Sequence, residues 1–92
     1  MEYLNNILGQ GQPAQLVEEA IPTLCNRLQH ATLLLDRRAA VLGLKSFSRQ
    51  YRENVIEHGL RPLVQTLLRD HETPAMVKGI LETFIILFLH GA

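Results

Sequence analysis

The stretch Asp36-Arg37-Arg38-Ala39-Ala40-Val41-Leu42-Gly43-Leu44-Lys45-Ser46-Phe47-Ser48-Arg49-Gln50-Tyr51-Arg52 decides how the rest of the chain is read. Ala40, Leu44, Phe47 and Tyr51 recur at steps of three and four, which is one face of an α-helix. Arg38, Lys45, Arg49 and Arg52 are spaced seven, four and three residues apart. At about 100° per residue these four fall within roughly a 60° arc, away from the apolar face. A helix divided this way needs a surface to pack on, and its basic face suits an acidic one. Asp36 is the expected N-cap, and the helix should end near Tyr51.

Outward from this helix, the chain reads as helices only. No polar–apolar alternation is long enough for a strand, and hairpin turn signals are missing. Met1 to Leu8 is a short amphipathic piece with Tyr3, Leu4, Ile7 and Leu8 on one side. Gly9-Gln10-Gly11-Gln12 follows as a break, so residues 1–12 stand apart as segment and linker from 13–92. Pro13 suits the first turn of a helix. Pro22 should kink that helix or end it and open a new one to about His30. A short turn from Asn54 to His58 should close at Gly59. Pro62 should open a helix with Leu63, Val64, Leu67 and Leu68. Thr73-Pro74 reads as a cap and first-turn proline for a helix from Ala75 to about His90.

A shift of forty residues superposes the two halves. Pro22 falls on Pro62, Leu24 on Val64, Leu28 on Leu68, Ala40 on Ile80, Val41 on Leu81, Leu44 on Phe84 and Phe47 on Leu87. Two unrelated helical hairpins would match core positions by chance, but the two helix-opening prolines coincide as well. A period of about 40, a short helix then a long one, predicts an all-α fold of about two armadillo-like repeats, part of an α-solenoid.

The last helix is amphipathic at first and then apolar all round, from Phe84 to Leu89. Such a helix is normally buried on every side. Each of these side chains is worth about 1.5–3 kcal/mol when buried. Leaving several in water would forfeit much of a small domain's stability. A further repeat would cover them, and this reading makes the chain the start of a longer globular head. The other reading is self-association, with Phe84, Ile85, Phe88 and Leu89 as the contact residues. A membrane-inserted hairpin is the rival.

The 92 residues suffice for one small domain. Hydrophobic residues make up 47% and charged residues 20%, which is a globular and not a disordered composition. Net charge is zero, so no global field draws the chain to nucleic acid or anionic membrane. The charge is local instead. Residues 36–52 hold five of the nine Lys and Arg against one carboxylate.

No catalytic, metal or cofactor constellation is visible. Cys25 is the only cysteine and sits on an apolar face, as a small buried thiol does. His30, His58, His71 and His90 are scattered near expected helix C-termini, where an imidazole meets the last carbonyls. Glu18 and Glu19 are adjacent and Asp70 and Glu72 two apart, so neither pair shares a helical face. An enzyme is not expected. The chain has no signal-peptide pattern, and a cytoplasmic location is the default.

Two features are suited to binding. Arg38, Lys45, Arg49 and Arg52 would line a groove that engages an acidic helix or peptide, unless they are an ordinary solvated face. Val41 and Leu42 flank this stripe. Tyr3, Leu4, Ile7 and Leu8 would cover the first repeat, dock on a partner or graze a membrane.

Ile21-Pro22-Thr23-Leu24-Cys25-Asn26-Arg27-Leu28 is one of several strings that resemble a known family. Asp36-Arg37-Arg38, Leu44-Lys45-Ser46-Phe47-Ser48-Arg49-Gln50-Tyr51-Arg52-Glu53-Asn54-Val55-Ile56 and Leu60-Arg61-Pro62-Leu63 are others. Val77-Lys78-Gly79-Ile80-Leu81-Glu82-Thr83-Phe84-Ile85-Ile86-Leu87-Phe88 extends the match toward the end of the chain. Together they closely resemble the N-terminal head of the general vesicular transport factor family, and most closely its fungal Uso-type tethers. The resemblance implies long homodimers with an armadillo head, a coiled coil and an acidic tail. Such proteins tether vesicles between endoplasmic reticulum and Golgi, upstream of SNARE-mediated membrane fusion. It implies SNARE proteins and a Rab-family GTPase as partners, peripheral attachment to Golgi and vesicle membranes, no cofactor and no catalysis. The chain stops before the rest of such a head, so tethering over a distance is not expected of these residues alone. The alternative is a structural cap of the solenoid with no partner of its own.

Overall fold

The computed structural model describes residues 13–89, with side chains from Val17 onward. The N-terminal stretch with Tyr3, Leu4, Ile7 and Leu8 lies outside the described residues. Four helices follow one another: α1 (Pro13–His30), α2 (Leu34–Ser48), α3 (Arg52–Arg69) and α4 (Pro74–Leu89). Helix starts repeat at 52 − 13 = 39 and 74 − 34 = 40 residues, close to the period read from the sequence. The described residues are all-α and armadillo-like.

Four local expectations are corrected. Of the two outcomes expected at Pro22, a kink or a helix end, the helix end is ruled out, because α1 runs through it. A mid-helix proline loses one backbone hydrogen bond. Ile21 and Cys25, buried on either side, hold the turn in place. Gly59 and Pro62 likewise lie inside α3, so the expected short turn and the helix after it are one element. Gly59 is buried, and a Cβ added there would sit 3.5 Å from Cys25 Sγ. That distance is an ordinary van der Waals contact, so the glycine lies within α3 facing α1 and is not a helix stop. Asp36 is not the cap of α2. Leu33 is, in extended conformation and without a side-chain cap bond, and its carbonyl accepts from the amides of Asp36 and Arg37. Asp36 lies in the first turn, where a carboxylate favours the helix dipole. Helix α2 also ends three residues earlier than expected, at Ser48.

The start of α4 follows the sequence closely. Pro74 is its first residue, and the Thr73 carbonyl accepts from the amides of Met76 and Val77.

Helix α2 is the hub. It packs on α1, α3 and α4, whereas α1 and α4 do not touch among the described residues. The core takes Val17, Ile21, Cys25 and Leu28 from α1, and Ala40, Val41 and Leu44 from α2. Val55 and Leu63 come from α3, and Met76, Ile80 and Leu87 from α4. Two buried hydroxyls are satisfied within their own helices: Ser48 donates to the Leu44 carbonyl and Thr83 to the Gly79 carbonyl, both at 2.7 Å.

The repeat is one of backbone more than of burial. Ala40 and Ile80 are both buried, but Val41 is buried while Leu81 is exposed, and Leu28 is buried while Leu68 is exposed. The first pair of helices has a neighbour on that side. The second pair has none among the described residues.

Candidate interaction surface

The four cations expected on one face of α2 do not act as a set. Lys45 Nζ lies 2.6 Å from Glu82 Oε1 on α4. This hydrogen bond holds the Glu82 carboxyl below its ordinary pKa, with the Lys78 charge adding to the effect. Arg52 Nε donates to the Leu87 carbonyl near the end of α4. Arg38 and Arg49 are exposed. The stripe therefore splits: Lys45 joins α2 to α4, Arg52 is the first residue of α3 rather than part of α2 and joins α3 to α4, and Arg38 and Arg49 face outward.

Arg38 borders a cleft of about 270 Å³ between α2 and α4. Val41, Leu42, Met76 and Gly79 give it apolar walls, and Lys78 and Glu82 lie on the α4 side. The helices approach closely here because Gly79 has no side chain. A Cβ at that position would lie 3.2 Å from Val41 Cγ1.

The residue pair missed in the sequence is Arg37 and Asp70. Arg37 Nε and Nη2 donate to the two Asp70 carboxylate oxygens at 2.8 and 2.9 Å. Nη1 donates to the Ala31 and Thr32 carbonyls at 3.1 and 3.0 Å, just past the end of α1. Arg37 and Asp70 are only 6% and 8% exposed, so the bidentate pair is shielded from water. Asp70 raises the Arg37 pKa further, chiefly by hydrogen bonding, so the guanidinium stays charged. A signal was present: Arg37 precedes Ala40, Val41 and Leu44 by three, four and seven residues, on the face that becomes buried. Its partner, 33 residues away, carried no local signal.

The apolar end of α4 is divided too. Leu87 is fully buried and Phe84 packs on the core. Ile85, Phe88 and Leu89 are exposed, Leu89 at 71%, and Leu81 joins them. Among the described residues, no helix is long and apolar enough to cross a membrane.

The titratable groups elsewhere stand in local roles. Burial pushes the Cys25 thiol up to about 11, so it is protonated at neutral pH. His30 Nδ1 and His71 Nδ1 each lie 2.9 Å from a carbonyl, of Asn26 and Leu68 respectively. His58 departs from the expected helix-end position and sits inside α3 beside Glu57.

Stacked helix pairs about one central helix, joined by a buried cross-repeat ion pair, define a segment of an armadillo-like solenoid. No family model matches the chain. It is 54% identical over 91 residues to the "Intracellular protein transport protein USO1" of Saccharomyces cerevisiae, covering 99% of this chain and 5% of that protein. It is 46% identical over 85 residues to the Schizosaccharomyces pombe protein of the same description, covering 92% of this chain and 8% of the relative. The human "General vesicular transport factor p115" is 36% identical over 86 residues, 90% of this chain and 9% of that protein. A crystal structure of Uso1-2 superposes with a TM-score of 0.81 and 59% identity, over 87% of this chain and 12% of that one. Over nearly its whole length, the homologues of this chain are Uso1/p115 vesicular transport factors. It spans less than a tenth of the length of these curated relatives.

Proposed function

We propose that these residues are a protein-interaction segment in the armadillo-like head of a vesicle tether. The tether acts in transport from endoplasmic reticulum to Golgi, upstream of SNARE-mediated fusion. The observation that carries this reading is the 54% identity to a protein-transport factor across nearly the whole chain. On the same reading the longer protein is a non-catalytic homodimer. It works with SNARE proteins and a Rab-family GTPase, and it sits peripherally on Golgi and vesicle membranes from the cytoplasmic side.

The test is a chimera. The matching residues of Saccharomyces cerevisiae USO1 are replaced by those of this chain, and cargo transport to the Golgi is measured in permeabilised cells. Transport at the parental level is expected. Arrest, with the chimera present at its normal level, overturns the reading.

A second reading, a structural cap with no partner of its own, draws support from α1. That helix exposes no large apolar side chain among its described residues, as suits the polar outer face of an end repeat. It predicts that surface charge variants of the chimera are silent.

A further inference from the structure

Helices α2 and α4 run parallel. Val41 meets Gly79 and Lys45 bonds Glu82, so residue numbers rise together along both. The cleft between them is closed toward the C-terminal side by the Lys45–Glu82 bridge. That bridge neutralises the one carboxylate in the lining. Arg38 and Lys78 remain, both exposed, and neither makes a salt bridge or side-chain hydrogen bond among the described residues. The cleft therefore presents two positive charges outside any salt bridge, Lys78 acting on Glu82 only at longer range, above an apolar floor of Val41, Met76 and Gly79.

Its size narrows the ligand. A volume of about 270 Å³ is just under the range of pockets that enclose drug-sized molecules, roughly 300–1,000 Å³. It suits a side chain of a longer partner. The rim extends the match along α2. Leu42 is 49% exposed beside the cleft, Leu35 lies seven residues before it and Arg49 seven after, so apolar and basic residues alternate down one outward face. An acidic amphipathic helix has the complementary pattern. A flat anionic bilayer fits less well, because the cleft is recessed between two helices.

We propose that this cleft docks an acidic amphipathic helix of a partner protein. One large apolar side chain of that helix enters between α2 and α4, and its carboxylates meet Arg38 and Lys78. This rests on the reading of the segment as an interaction module and assigns the place and chemistry of the contact.

The test uses the full-length USO1 chimera and a short fluorescent helix of glutamate and leucine. A glutamine-for-glutamate helix, an alanine-for-leucine helix and vesicles of phosphatidylserine with phosphatidylcholine are the comparison probes. Saturable binding of the first helix alone is expected. It should weaken at least about tenfold in Arg38→Glu/Lys78→Glu and stay unchanged in the control Arg61→Glu/Arg69→Glu on exposed positions of α3. Equal loss in both variants, equal binding of the alanine helix, binding to vesicles only or no saturable binding would each overturn the proposal. A melting curve of each variant separates lost docking from lost folding. Cargo transport by the unsubstituted chimera is scored separately, so failure of the tether reading and failure of the docking site are distinguishable.

Discussion

The two flanks of this stack are made of different residues. On the α1 side, Thr23 is exposed, Ala20 and Leu24 are half-buried, and no large apolar side chain is exposed among the described residues of the helix. On the far side, α3 exposes Val64 and Leu68, and α4 exposes Leu81, Ile85, Phe88 and Leu89. Helices of nearly the same length and start positions thus end in one polar flank and one apolar flank. The forty-residue repeat accounts for the contrast. Val41 is buried against α4, and its counterpart Leu81 occupies the place where a following helix would meet α4. The apolar flank has the composition of an interface, and the α1 flank has that of an outside.

The contrast is meaningful only if both pairs of helices form one cooperative unit, and the buried Arg37–Asp70 pair tests that first. Asp70→Leu leaves a shielded guanidinium without its carboxylate. A loss of about 3–5 kcal/mol is expected in denaturant unfolding, with a single transition. Two separate transitions would break the unit. Arg37→Leu combined with Asp70→Leu should recover part of the loss, because no unpaired charge remains.

Leu44→Ala comes next. This fully buried residue lies on α2, which, like α3, contacts every other helix among the described residues. Its truncation should cost about 2–5 kcal/mol and lower the melting temperature of the whole stack. Gly79→Val should cost about 1–3 kcal/mol by overpacking against Val41, and Val41→Ala should relieve part of that cost.

The flanks themselves are compared by light scattering. The isolated chain should self-associate, and Leu81→Glu/Phe88→Glu should raise the dissociation constant at least about tenfold. Thr23→Glu on the opposite flank should leave it unchanged. Equal effects from both would erase the distinction between the flanks.

The smallest effect concerns pH. Lys45 depresses the Glu82 pKa in the folded chain, so the pair stabilises the fold above the unfolded glutamate pKa. The contribution is lost as pH falls through the lower folded value. Lys45→Met should flatten the acid limb of stability only slightly, as expected for a pair that is more than a third exposed.

Much of this arrangement was legible along the chain. Prolines 22 and 62, and the apolar positions Ala40 and Ile80, carried the repeat because each reports on local backbone or on a helical face. Gly59 and Pro62 misled because the same residues stop a free helix and are tolerated in a packed one. Of the expected basic stripe, periodicity placed Arg38 and Lys45 on α2 with Arg49 at its end, but it carried Arg52 past the helix end into α3. It carried no information about Glu82 or the Leu87 carbonyl, which lie 37 and 35 residues from their partners. Lys78 looked like an ordinary polar position until α4 was set beside α2.

The sequence by itself determined an all-α chain, its forty-residue period and its resemblance to vesicular transport factors. These depend on helix periodicity, turn chemistry and residue identity, all of which act over short spans. Tertiary structure alone decided which charges are used internally. Arg37 meets Asp70, Lys45 meets Glu82, and Arg38 and Lys78 are left facing outward. An ion pair depends on distance in space, and only the stacking of α4 and the end of α3 against α2 sets those distances.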